Sequence, residues 1–77
     1  MSDFNAKEME IFDESLDIAL SVLLRNQELR SFDEATHFLA KEIAEQMCQG
    51  ERNVLLLSNF ALDAYRLKPN VYARLVQ

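Results

Sequence analysis

Apolar residues recur at three- and four-residue steps along the first third of the chain, which is the spacing of one helix face. Asn5 precedes this stretch and Glu8 follows three residues later, in the order of a capping box, so a first helix should begin near Ala6. The residues predicted to face a core share that spacing: Met9, Phe12, Leu16, Ala19, Leu20 and Leu23. The pattern predicts a helix over residues 6–24.

A second helix is predicted over residues 32–48. Ser31 and Glu34 form another capping box at its start, and Gly50, the only glycine, marks its end as a left-handed stop. Its predicted core face consists of Phe32, Ala35, Leu39, Ile43 and Met47. The short segment between Gly50 and the next cap predicts a tight turn with Glu51 and Arg52 at an exposed corner.

A third helix is predicted over residues 54–67, capped by Asn53 and ended by Pro69, because proline disrupts the hydrogen bonding of a helix interior. Its predicted core face consists of Val54, Leu57, Phe60, Ala61, Ala64 and Tyr65. Residues 69–77 remain as a short C-terminal tail or helix, and an arm that orders only against a partner is an equal alternative.

Composition supports a single all-α domain, a small bundle of three helices spanning residues 1–77. One glycine and one proline leave little turn chemistry for a β fold. The single cysteine excludes an internal disulfide, and the longest apolar run, from Val54 to Leu57, is too short to cross a membrane. The first residues resemble no targeting segment, so we expect a cytoplasmic protein without membrane contact.

Charge is unevenly distributed. The chain has 13 acidic and 8 basic residues, a net charge of −5, which argues against unassisted binding to nucleic acid. Much of the acidity lies on one predicted face of the first helix, formed by Glu10, Asp13, Glu14 and Asp17. This acidic face is either a solvated outer surface or a contact for a basic partner.

Candidate catalytic and metal chemistry is sparse. Glu34 and His37 form one E-x-x-H pair, but His37 is the only histidine and Cys48 lies about three helical turns away. A single glycine cannot build a phosphate-binding loop, and no serine or cysteine has a base in a known arrangement. We therefore expect no catalytic residues, no metal site and no cofactor, and a protein that is not an enzyme.

The second and third helices could form a helix-turn-helix motif, but the fit fails in its second half. Glu45 and Gly50 fall where that motif requires apolar residues, and residues 54–65 contain no lysine or arginine to contact DNA. A DNA-associated regulator therefore stays an alternative to the main expectation.

Three segments carry a family resemblance: Leu39-Ala40-Lys41-Glu42-Ile43, Gly50-Glu51-Arg52-Asn53 and Ala61-Leu62-Asp63-Ala64. Together they resemble a group of small helical proteins from α-proteobacteria with an L-A-K-x-I, G-E-R-N and A-L-x-A pattern. The resemblance covers about residues 4–67 and implies an α-helical fold in a bacterial cytoplasm. It implies no activity and no site residues.

The number of large apolar residues exceeds what one narrow three-helix core accommodates. We expect a regulatory or adaptor-like protein-protein interaction module that forms a homodimer through the flanks of its first and third helices. The predicted contact residues are Ile11, Ile18, Val22, Val71, Tyr72 and Val76. The alternatives are the DNA-associated regulator and an acidic decoy that occupies a nucleic-acid-binding protein.

Overall fold

The computed structural model describes the backbone of residues 5–76 and the side chains of residues 5–67. Three helices are present: α1 over Ala6–Arg25, α2 over Phe32–Cys48 and α3 over Val54–Val76. No strand occurs within these residues. The predicted all-α fold of three helices is confirmed, and within the described residues no helix has the length and apolarity needed to cross a membrane.

The helices begin where local capping rules place them. The Asn5 side chain accepts from the Glu8 amide at 2.8 Å while the Glu8 carboxylate accepts from the Asn5 amide at 3.0 Å, so the capping box is complete. Ser31 Oγ accepts from the Glu34 amide, and Asn53 Oδ1 accepts from the Leu56 amide. Each cap satisfies an amide that the first helical turn leaves without a partner.

Helix directions follow from the short turns and two ion pairs. Glu8, in the first turn of α1, lies 2.6 Å from Arg52 in the α2–α3 turn, and Arg66 on α3 lies 2.9 Å from Glu28 in the α1–α2 connection. Helix α2 is therefore antiparallel to both neighbours, and α1 and α3 are parallel. All three helices pack against one another as a triangular bundle.

The core is narrow and contains several small residues. Its buried apolar members are Ala19, Leu23, Ala35, Leu39, Ile43, Met47, Leu57, Ala61, Leu62 and Tyr65. At its edge the Phe38 ring meets the Tyr65 ring edge to face, with 5.8 Å between centroids. The alanines permit close approach of the helices, so few large side chains are needed to fill the interior.

Three residues predicted to be core are instead exposed. Met9, Phe32 and Phe60 keep 44%, 61% and 46% of their surface accessible. Met9 lies in the first turns of α1 and Phe32 is the first residue of α2, so both lie where the bundle ends. Phe60 is turned by about 100° from Ala61, which lies on the buried face of α3.

Two serines occupy interior positions that the apolar pattern did not identify. Ser15 and Ser58 are buried, and each hydroxyl donates to a carbonyl of its own helix: Ser15 to Ile11 at 2.7 Å and Ser58 to Val54 at 2.9 Å. Because these bonds satisfy the hydroxyls locally, serine serves as a small interior residue beside the alanines.

Pro69 does not end α3, which continues to Val76, so the predicted boundary near Leu67 is wrong. Proline lacks an amide hydrogen, but its fixed φ of about −65° is helical, and the chain can continue in a helix beyond it. Residues 69–76 are thus helical in backbone.

The two turns use the same hydrogen-bond pattern. After α1, the Glu28 amide donates to the Leu23 carbonyl at 2.8 Å, and after α2, the Glu51 amide donates to the Gln46 carbonyl at 3.0 Å. Both are Schellman motifs, which place one residue at positive φ. That residue is Gly50 after α2, with φ of 109°, and Gln27 after α1, with φ of 58°.

Candidate functional site

A row of exposed apolar side chains runs along α3. Leu56, Phe60 and Leu67 are four and seven residues apart, which places them on one side of the helix over about three turns. Leu56 and Phe60 are each 46% accessible and Leu67 is 61% accessible. We call these three residues the α3 stripe; the apolar residues that α3 contributes to the core lie on other sides of the helix.

The predicted contact residues on α1 are partly used by the protein itself. Ile11 and Val22 pack against the core cluster, and Ile18 is half-buried without belonging to it. The flank of α1 therefore offers less free apolar surface than its sequence suggests. The side chains of Val71, Tyr72 and Val76, the other predicted contacts, lie outside the described residues.

The apolar period does not identify the α3 stripe, because it predicts Phe60 in the core and Leu67 at the end of the helix. A signal for it exists in the sequence. Leu56 and Phe60 directly precede Leu57 and Ala61, so α3 carries two apolar rows that a single buried face cannot both accommodate.

The four carboxylates of the acidic face all point to solvent. Glu10, Asp13, Glu14 and Asp17 are exposed, and none makes an ion pair with any residue in the described part of the chain. They lie on α1 on the side opposite its buried residues. The acidic face thus presents four carboxylates without an ion pair in the described part of the chain, and Lys7 and Arg25 are the basic residues of α1.

Glu8 differs from these carboxylates because it belongs to a structural network. Hydrogen bonding from the Asn5 amide, reinforced by the Arg52 guanidinium, lowers the pKa of Glu8 below its ordinary value. Arg52 also donates to the Met47 carbonyl at 2.6 Å. The predicted exposed corner is therefore a clamp: Arg52 joins the end of α2 to the start of α1.

Groups with metal-binding or nucleophilic chemistry are dispersed. His37 and Cys48 are both exposed on α2, and Cys48 is a free thiol. Within the described residues, no three His, Cys, Asp or Glu side chains lie close enough to hold a metal ion.

No protein-family model, curated protein or solved structure matches the chain.

Proposed function

We propose that the protein is a small, non-enzymatic interaction module that self-associates through the α3 stripe. The observation that carries this proposal is the exposure of Leu56, Phe60 and Leu67 on one side of a single helix. Exposed apolar side chains repeated along one side of a helix are typical of a protein contact site, and the exposed Asp63 interrupts this row between Phe60 and Leu67. The sequence predicts contact through the flanks of the first and third helices, whereas we propose that the outer face of α3 alone forms the contact.

A second copy of the chain can pair with the stripe in antiparallel register, and that register also sets the exposed Asp63 of each chain opposite the Phe60 of the other copy. If two α3 helices pair antiparallel about a twofold axis midway between Leu56 and Leu67, each Leu56 meets the partner's Leu67. The two Phe60 rings are then offset by about 4.5 Å along the axis, given a rise of 1.5 Å per residue. That offset suits stacked or edge-to-face aromatic pairing.

Sedimentation equilibrium over the micromolar to millimolar range tests this proposal. We expect a concentration-dependent dimer for the wild-type protein and a monomer for Phe60→Glu, because a buried unpaired carboxylate opposes association. Leu55→Glu is the matched control: Leu55 is 65% accessible on the same helix but lies off the stripe. A wild-type protein that stays monomeric, or a dimer that Phe60→Glu leaves intact, would refute the proposal.

An acidic decoy is a second candidate, supported by the exposed carboxylates of Glu10, Asp13, Glu14 and Asp17, which have no ion pair in the described chain. A surface of this kind attracts a basic partner through long-range electrostatics that salt weakens. Salt-sensitive binding of a basic nucleic-acid-binding protein, reduced by replacing the four carboxylates with amides, would support it. Salt-sensitive binding of DNA itself would instead favour the DNA-associated regulator.

A further inference from the structure

A cavity of about 300 Å³ lies where α3 passes the α1–α2 connection. Its lining consists of Gln27, Glu28, Arg30, Tyr65 and Arg66. All five side chains carry hydrogen-bonding groups, and none belongs to the α3 stripe. A volume of this order is at the lower limit of small-molecule sites, which combine a few polar groups with a ring or apolar wall.

The guanidinium of Arg66 is oriented but not fully used. Glu28 Oε1 accepts from Arg66 Nε at 2.9 Å, and within the described residues the two terminal nitrogens of Arg66 have no partner. A guanidinium held through one nitrogen still presents an N–H pair in the fork geometry that binds an oxyanion bidentately.

Arg30 supplies a second guanidinium to the same cavity. It makes no hydrogen bond or ion pair with the part of the chain that the structure describes. The lining therefore holds two positive groups against the single carboxylate of Glu28, an excess of positive charge in a chain whose net charge is −5. This local reversal of sign favours an anionic ligand over a cationic one.

Gln27, which lines the cavity, has a left-handed backbone conformation. Its φ of 58° is a conformation that glycine adopts at lower cost, and Gly50 fills the equivalent place in the other turn. Gln27 is one of the residues that line the cavity, and its side chain carries an amide that glycine would lack. Residues held in a costly conformation are concentrated at functional sites.

From these observations we infer that the cavity is a binding site for a small molecule bearing an oxyanion, a carboxylate or phosphate. Arg66 and Arg30 bind the oxyanion, the Gln27 amide donates a further hydrogen bond, and the Tyr65 ring contacts the body of the molecule. The site lies at the end of the bundle where α1 and α2 are joined.

Titration of the labelled full chain by nuclear magnetic resonance tests the inference, with inorganic phosphate and benzoate as separate probes and sodium chloride at matched ionic strength as reference. We expect saturable shifts of the Gln27 side-chain amide and the Arg66 Nε–H with at least one oxyanion. The oxyanion that saturates at lower concentration identifies the ligand class. Shifts reproduced by chloride, or no saturation with either oxyanion, would overturn the inference.

Two variants separate binding from folding. Arg66→Lys keeps the charge but removes the fork, and should weaken binding about tenfold, as expected for loss of one charge-assisted hydrogen bond. Arg30→Gln removes a group without a partner in the described chain, so it should weaken binding while circular dichroism stays unchanged. Lys41→Gln makes the same change of charge on α2 and should have no effect; equal loss in all three variants would contradict the site.

Discussion

The two ends of the bundle are built from the same motif but are completed differently. At the α2–α3 turn, glycine occupies the positive-φ position, and Arg52 bonds both the Met47 carbonyl and the Glu8 carboxylate. At the α1–α2 connection, glutamine occupies that position, and Arg66 bonds Glu28 through one nitrogen beside a cavity. We refer to these as the closed end and the open end.

The difference shows where the chain favours stability and where it does not. At the closed end, glycine lowers the conformational cost of the positive-φ position. The Arg52 guanidinium there is hydrogen-bonded to the Met47 carbonyl and the Glu8 carboxylate. At the open end, the turn has glutamine at the positive-φ position, and the terminal nitrogens of Arg66 have no hydrogen-bond partner among the described residues. Such departures from local optimality are expected at functional sites and seldom elsewhere.

The largest effects should come from the core beneath each end. Leu23 lies in the core next to the open end and is 0% accessible. Met47 lies in the core next to the closed end and is 1% accessible. We expect Leu23→Ala and Met47→Ala each to lower the free energy of unfolding by about 2–5 kcal/mol through lost burial and cavity formation. Urea denaturation measures this, and a much smaller cost at Leu23 would mean that the open end is loosely packed.

Gly50→Ala should have the next largest effect, a loss of about 1–2 kcal/mol, because an L-residue is strained in the left-handed region. A Cβ at Gly50 would meet nothing within 4 Å, so the loss would report backbone strain alone. Thermal and urea unfolding of this variant beside the wild type give the value. A neutral result would show that the closed turn relaxes to another conformation.

Gln27→Gly makes the reverse change at the open end and should stabilise the protein by about 0.5–1 kcal/mol. The same variant should weaken oxyanion binding, since it removes a side chain from the cavity. Stability and binding would then change in opposite directions. If the variant gains stability but binds the oxyanion as tightly as the wild type, the Gln27 side chain does not contribute to binding.

The smallest effect concerns pH at the closed end. Because the pKa of Glu8 is lowered in the folded protein, its contribution to stability is present above its ordinary pKa of about 4.5 and is lost as the pH falls through the lowered value. Glu8→Gln should flatten the dependence of stability on pH in that acidic range. Glu10→Gln, at an exposed carboxylate without an ion pair in the described chain, serves as the control.

Features set by neighbouring residues could be predicted from the sequence. The caps at Asn5, Ser31 and Asn53 and the positive φ at Gly50 all depend on contacts within a few residues, and all are present. Helix number and most boundaries follow from them together with the apolar period. The end of α3 differs from its predicted position near Leu67, because Pro69 destabilises a helix without preventing it.

Features set by distant residues could not be predicted in the same way. Whether Phe60 faces the core depends on which side of α3 meets α1 and α2, and the apolar pattern allows two registers. The ion pair between Arg52 and Glu8 joins residues that no local rule connects. Gln27 was not recognised as a left-handed position because the usual marker, glycine, is absent.

The same ion pairs bear on the order of events in folding. Arg52 and Glu8 are 44 residues apart, and Arg66 and Glu28 are 38 apart, whereas the caps and turns join residues within five of each other. Helices and turns can form early, but each arginine meets its carboxylate only after segments that are distant in the sequence have packed together. The two ion pairs should therefore form after the transition state for folding. Removing either pair should mainly raise the unfolding rate and change the folding rate little.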